Sequence, residues 1–258
     1  MSGVQSLDGN LILTEKGEVY VYGISNNHVY KEPYKLLDNV SSINGRYIIT
    51  KSNELLEMVD NQPVHIADNI KDAGYGDYQG YYITTQHDLY VFGDFKRCYF
   101  QTETPIKVAS NVKNASVNEY GYAYLTHSND LYLATPFMEK NVDGKEYPHH
   151  ILEGGVLIAH DVKSYFYYNT LLYLDNRHTM HAFGYDNWLL MPYSMDEING
   201  DMVLFDNITS FFGDSTTAVA CASDGSMYIW GENNIGMLDP KNEGLFTSSI
   251  GKPLKITF

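Results

Sequence analysis

Leu36-Leu37-Asp38-Asn39-Val40, Ile66-Ala67-Asp68-Asn69-Ile70, Val108-Ala109-Ser110-Asn111-Val112, Ile158-Ala159-His160-Asp161-Val162 and Leu204-Phe205-Asp206-Asn207-Ile208 are copies of one phrase. Each ends an apolar run, passes through Asn or Asp, and resumes on Val or Ile. Asn and Asp suit a tight connector because they tolerate left-handed backbone and bond their own chain. A second phrase follows each connector: Gly9 to Thr14, Gly45 to Thr50, Gly80 to Thr84 and Gly121 to Thr126, with weaker copies at Thr170 to Leu174 and Thr216 to Cys221. A polar turn comes next, Glu15-Lys16-Gly17 or Ser223-Asp224-Gly225 for example, then a strand closing on an aromatic and often Gly, as in Val19 to Gly23, Leu89 to Gly93, Met180 to Gly184 and Met227 to Gly231. Leu55 to Asp60 and Leu131 to Pro136 are degenerate copies of that strand.

Each unit therefore reads strand, Gly turn, strand, polar turn, strand, variable loop, strand. The strands are short, β-rich and separated by turn residues. Six units in 258 residues give about 43 residues each, the period of a four-stranded propeller blade. The reading is all-β: a propeller of six four-stranded blades, with seven blades as the alternative, forming one domain over residues 1–258. The chain starts within a connector, where Val4 matches Val40, and ends within a fourth strand, where residues 253–258 match 105–110. That phase leads us to expect adjacent termini.

Composition narrows the function. Of 258 residues, 23 are Tyr and 11 Phe, a bias toward strands. The net charge of −15 is the wrong sign for a chain that grips phosphates, so no direct nucleic-acid binding is expected. Residues 181–258 hold 10 acidic and 3 basic side chains, an acidic sector that attracts basic surfaces. No secretory signal and no membrane span are readable, and two cysteines fit a reducing compartment. A cytoplasmic address is expected, or the host cytoplasm for a secreted effector.

The repeats, with Gly9, Leu13-Thr14, Gly17 and Val19-Tyr20-Val21-Tyr22-Gly23 in the first, resemble those of the regulator of chromosome condensation family. The best match is Asp224-Gly225-Ser226-Met227-Tyr228-Ile229-Trp230-Gly231-Glu232-Asn233-Asn234-Ile235-Gly236-Met237-Leu238. The resemblance touches all six units and implies a propeller. Its founding member exchanges nucleotide on the small GTPase Ran with a protruding hairpin, and relatives include bacterial effectors acting on host GTPases and a β-lactamase inhibitor. This chain departs in blade number, in charge and in its second and fourth repeats.

Candidate chemistry is sparse. The recurrent Gly9, Gly45, Gly80 and Gly121 read as turn glycines with positive φ rather than a phosphate loop. Gly244 to Lys252 lacks the phosphate-loop spacing. His178 and His181 sit three apart at a hairpin and strand start, a spacing that on a strand points to opposite faces, and His149-His150 is a loop pair, so no metal set is read. Cys98 beside Lys96 and Arg97 has no adjacent base, and no catalytic residue is assigned. The loops between third and fourth strands carry the binding candidates, since function concentrates on loops held by a rigid scaffold. Residues 137–150 include Asp143-Gly144, a hairpin signal, followed by Lys145 and Tyr147. Trp188 lies in a second loop, and Lys96 and Arg97 form a basic pair between aromatics in a third.

The expected function is protein–protein interaction by a monomeric propeller needing no cofactor, metal or covalent catalysis. The sharper expectation is binding or regulation of a Ran-, Rab- or Rap-type GTPase, with exchange achieved by differential affinity for nucleotide states. A non-GTPase scaffold or inhibitor and a glycan-binding propeller are the alternatives.

Overall fold

The computed structural model describes residues 3–25, 28–98, 100–135, 152–168, 170–184, 201–214, 217–232 and 249–256. They build six four-stranded sheets, each from consecutive strands hydrogen-bonded in chain order. The first holds β1 (Val4–Asp8), β2 (Leu11–Thr14), β3 (Val19–Ser25) and β4 (His28–Leu37). The second holds β5 (Val40–Asn44), β6 (Tyr47–Thr50), β7 (Leu55–Val59) and β8 (Gln62–Ala67). The third holds β9 (Ile70–Tyr75), β10 (Gln79–Thr84), β11 (Leu89–Phe95) and β12 (Phe100–Ala109), with a 3₁₀ turn at Lys96–Cys98. The fourth holds β13 (Val112–Asn118), β14 (Gly121–Thr126), β15 (Leu131–Ala134) and β16 (Val156–Ala159). The fifth holds β17 (Val162–Tyr167), β18 (Thr170–Asp175), β19 (Met180–Gly184) and β20 (Asp201–Phe205). The sixth holds β21 (Ile208–Gly213), β22 (Thr217–Ala222), β23 (Met227–Glu232) and β24 (Ser249–Ile256). The chain forms two compact units, residues 1–119 and 120–258.

Within each unit the core lies between successive sheets. In the first, Leu13, Val19 and Val21 pack on Val40 and Ile48 of the next sheet, while Tyr47, Ile49 and Leu55 pack on Ile70, Ala73 and Tyr82 of the third. In the second, Leu171 and Tyr173 meet Ala123, Leu125 and Leu131 on one side, and Leu172, Leu174 and Met180 meet Ile208, Ala220 and Trp230 on the other. Alternate residues of a strand point to opposite faces. Both faces of these strands are buried, so they read as unbroken apolar runs such as Tyr47-Ile48-Ile49. Each fully buried Leu or Ile contributes about 1.5–3 kcal/mol.

The recurrent phrase is a hydrogen-bonded joint. Asn39, Asn69, Asn111, Asp161 and Asn207 adopt φ between 56° and 63°, as the connector reading requires. Each second-to-third-strand turn also holds a left-handed residue: Gly17, Asn53, His87, Asn129, His178 and Gly225, with φ between 64° and 83°. The carbonyls of Gly17, Asn53, His87, Asn129 and His178 accept the N–H of Val40, Ile70, Val112, Val162 and Ile208, the first residue of the following sheet, at 2.8–2.9 Å. The connector then answers: the Asn39, Asn69, Asp161 and Asn207 carbonyls accept from Lys51, Thr85, Asn176 and Ser223 at 2.7–2.8 Å. In four of these turns the opening residue adds a side-chain bond, with Oγ1 of Thr14, Thr50, Thr84 and Thr126 accepting the N–H of Glu18, Glu54, Asp88 and Asp130 at 3.0–3.1 Å.

The glycine expectation needs correction at Gly80. It lies inside β10, paired with Tyr75 and Phe92, and is absent from the positive-φ residues. A Cβ there would meet the Phe92 ring at 2.5 Å and the Tyr47 hydroxyl at 2.6 Å, so close packing, not turn geometry, demands Gly. Outer strands carry a second recurrent device. Residues 31–33, 103–105 and 251–253 fall where the register shifts in β4, β12 and β24, and each ends in Pro. Proline and bulges blunt exposed sheet edges against pairing with other chains. Among the described residues no helix is long and apolar enough to cross a membrane.

Candidate functional site

Each sheet has one end made of polar turns and connectors and another made of first-to-second and third-to-fourth strand loops. The connector end is lined by paired charged and polar side chains. Lys35 Nζ lies 2.7 Å from Glu18 and 2.6 Å from Asp38, Lys107 lies 2.8 Å from Asp88, and His160 Nδ1 lies 2.6 Å from Asp130. The Lys35 hydrogen bond holds the Glu18 carboxyl below its ordinary range. These pairs sit at repeated positions and satisfy one another.

The loop end of the first unit is different. β3 and β4 run on to Ser25 and His28 as a long hairpin, with Ile24 opposite Val29. Near its tip the side chains are apolar and exposed: Ile24 is 74%, Val29 58% and Tyr22 53% accessible. The hairpin is held close to its tip. Asn10 Nδ2 donates to the Ile24 carbonyl at 3.1 Å, Asn61 Nδ2 bonds the Tyr30 hydroxyl at 3.2 Å, and the Tyr30 ring packs on His28 and Tyr34 with centroids 4.5 and 5.7 Å away. Exposed apolar groups on a fixed element are characteristic of interaction surfaces.

A cleft of about 320 Å³ opens at the same end, lined by Asp8, Asn10, Arg46, Asn61, Tyr75 and Asp77 among others. Its floor is built around Gly45, at φ 56°, whose N–H donates to the Asp8 carboxylate. A Cβ at Gly45 would overlap the Tyr75 ring, so glycine lets that ring lie on the backbone. Arg46 is paired with Glu57 at 3.1 Å and lies 5.4 Å from the Tyr47 ring centroid. Burial pushes the nearby Asp72 carboxyl up, although the Tyr81 hydroxyl donates to it at 3.4 Å.

The second unit holds a buried polar group in the fifth sheet. His181, opposite Tyr173 in the ladder, stacks on that ring with centroids 4.6 Å apart and approaches Asp201 through Nδ1 at 2.9 Å. The Tyr173 hydroxyl donates to Asp201 at 2.7 Å. Asp175, where four other repeats place Thr, accepts the N–H of Thr179 and of Arg177 and the Arg177 guanidinium at 2.8–2.9 Å. Burial works against its charge, yet these donors hold the carboxyl below its ordinary range. In the third and fourth sheets the same cross-strand position is a stacked Tyr82–Tyr90 or Tyr124–Tyr132 pair, and burial pushes the Tyr82 hydroxyl up to about 12. His181 thus substitutes for a packing tyrosine. Among the described residues no cluster of three or more His, Cys, Asp or Glu is arranged to hold a metal.

The binding candidates read from sequence divide. Lys96 is exposed, and its ammonium sits 3.8 Å over the Tyr78 ring, which is itself 60% exposed. Arg97 lies in the 3₁₀ turn beside it. Asp143, Gly144, Lys145, Tyr147 and Trp188 lie outside the described residues. Cys98 is buried, which removes it from approach by a substrate. His178 is a turn residue bonded to the Ile208 carbonyl at 3.0 Å. The hairpin of the first sheet escaped the sequence reading. Its signal was two β-rich runs separated by Asn26-Asn27, a short polar interval between paired strands.

No family model matches the chain, and no curated protein matches it by sequence. Solved structures do match in shape. Human WBSCR16 shares 12% identity at a TM-score of 0.65, over 96% of this chain and 79% of that one. Prp20p of Saccharomyces cerevisiae, described with its binding to Gsp1p and histones, shares 14% at a TM-score of 0.66, over 96% and 74%. Yeast RCC1 (Prp20) bound to Kap60 gives 14% and 0.64, over 96% and 72%. At such identities the likeness shows the fold: this chain is a β-propeller of the RCC1 type, with six four-stranded blades.

Proposed function

We propose that residues 1–258 act as one interaction domain in the cytoplasm, docking a protein partner at the loop ends of its blades, and that the partner is a small GTPase. The observation that carries this reading is the blade-one hairpin, with Ile24, Val29 and Tyr22 exposed near a tip that Asn10 fixes through the Ile24 carbonyl. An apolar element held out from a rigid sheet loses little conformational entropy on docking, which leaves more of its burial energy for affinity. Similarity in fold to Prp20p, which binds Gsp1p, and the repeats' resemblance to the regulator of chromosome condensation family favour a GTPase over other proteins. Nucleotide exchange asks for no covalent chemistry. A surface that binds the nucleotide-free GTPase more tightly than the loaded form shifts the equilibrium toward release.

The test is release of a fluorescent GDP analogue from Ran-, Rab- and Rap-type GTPases, together with capture of their nucleotide-free forms. The wild-type chain is expected to bind one class. The Ile24→Asp, Val29→Asp double variant is expected to lose at least about tenfold in affinity, as loss of buried apolar anchors does. No binding to any nucleotide-free GTPase in the panel overturns the GTPase reading. Undiminished binding by the double variant moves the interface off the hairpin.

A further inference from the structure

We infer that the cleft beside this hairpin is a receptor for a cationic side chain, arginine above all, presented by the docked partner; this deepens the docking reading and rests on it. Three strand ends supply the cleft: Asp8 from β1, Arg46 from the turn before β6, and Tyr75 with Asp77 after β9. Of its charged groups, Arg46 is already neutralised by Glu57 at 3.1 Å. Asp8 spends one carboxylate oxygen on the Gly45 N–H. No cation pairs with Asp8 or Asp77 among the described residues. The Asn10 and Asn61 amides are engaged with the hairpin, which leaves two carboxylates and a Tyr75 ring that is 45% exposed and anchored on the Gly45 backbone.

That set matches a guanidinium. Its planar fork donates to carboxylate oxygens while its face lies on an aromatic ring. The same surface already uses this contact internally, with Lys96 Nζ 3.8 Å over the Tyr78 ring. The cleft, about 320 Å³, is at the small end of ligand sites and suits one extended side chain rather than a cofactor. The net charge of −15 adds a long-range pull on basic partners and a repulsion of anionic ligands.

The experiment titrates capped acetyl-Gly-Arg-Gly-amide and its Gln counterpart into the full chain labelled with ¹⁵N. The Arg peptide is expected to shift the Gly45, Asn61 and Asp77 amides in a saturable way, and the Gln peptide is not. Asp77→Asn is expected to weaken the Arg response by about two- to fivefold, the size of one exposed ion pair. Tyr75→Leu is expected to weaken it by a similar factor, about two- to fivefold, through the lost ring face. Circular dichroism verifies that both variants fold. Equal shifts with the Gln peptide, or an unaltered Arg response in both folded variants, overturn the assignment. Arg-specific shifts in a chain that binds no GTPase would sink the GTPase reading and leave the cleft assignment standing, so the two failures are separable.

Discussion

The two ends of the sheets obey different rules. At the connector end one hydrogen-bonding scheme recurs: a left-handed residue in the turn, its carbonyl given to the first N–H of the next sheet, and a left-handed Asn or Asp that returns the bond to the following turn. At the loop end little recurs among the described residues. The blade-one hairpin projects exposed Ile24 and Val29, blade two closes on the tight turn between β7 and β8, and blade three inserts a 3₁₀ turn whose Lys96 caps Tyr78. The contrast teaches that backbone requirements fix the chemistry of one end and leave the other unconstrained. A joint that must satisfy buried backbone groups has few chemical solutions. A loop end facing water has many, and there partner chemistry is free to vary.

The largest expected effect tests whether the cores between sheets, rather than the joints, supply most of the stability. Trp230→Ala removes a side chain that is fully buried against Phe205, and should cost about 3–5 kcal/mol by denaturant unfolding. A loss no larger than that of a connector variant would overturn this division. Next come the connectors. Asn69→Val forces a β-branched residue into φ 61° and should cost about 1–2 kcal/mol, whereas Asn69→Gly should cost no more than a few tenths, because glycine accepts that conformation. Similar values are expected at Asn39 and Asn207, which share the geometry, and dissimilar losses would break the equivalence of the joints.

Asp175→Ala removes a carboxylate that caps the turn before β19, and about 1 kcal/mol should be lost. Its pH dependence has a definite sign. The folded-state carboxyl is held below its ordinary value of 3.8, so the unfolded chain takes up the proton first as pH falls. The contribution is complete above about pH 5 and drains away as pH drops through 3.8 toward the folded value. Unfolding curves of wild type and variant should therefore converge in acid, and a gap that persists there would show that the carboxylate charge is irrelevant. The smallest effect on stability belongs to the loop end. Ile24→Asp should change unfolding free energy by no more than about 0.5 kcal/mol, since that side chain is 74% exposed. A large loss would mean that the hairpin tip supports the fold.

The strand pattern was readable because its causes are local. Left-handed positions mostly select Asn, Asp or Gly, with His87 and His178 the exceptions, and runs such as Leu171 to Leu174 disclose strands buried on both faces. The repeat even located the connectors to the residue. Gly80 was misread because its need for glycine comes from Phe92 and the Tyr47 hydroxyl, a cross-strand neighbour and a residue of another sheet. For His181 the spacing says only that it joins no metal set. Its actual partners, Tyr173 and Asp201, come from the two strands flanking β19. Lys96 stands in the sequence as half of a basic pair between aromatics, and the fold lays it on Tyr78, a ring from the turn before β10.

By itself the sequence determined six repeats, their four strands and the residues that turn the chain, because periodicity and backbone sterics act over short stretches. Only the tertiary structure decided that Asp8, Arg46 and Tyr75, from three different sheets, line one cleft, and that β3 and β4 extend as one hairpin fastened by Asn10 and Asn61. Such sites depend on where separate strands end in space, and no spacing along the chain encodes that distance.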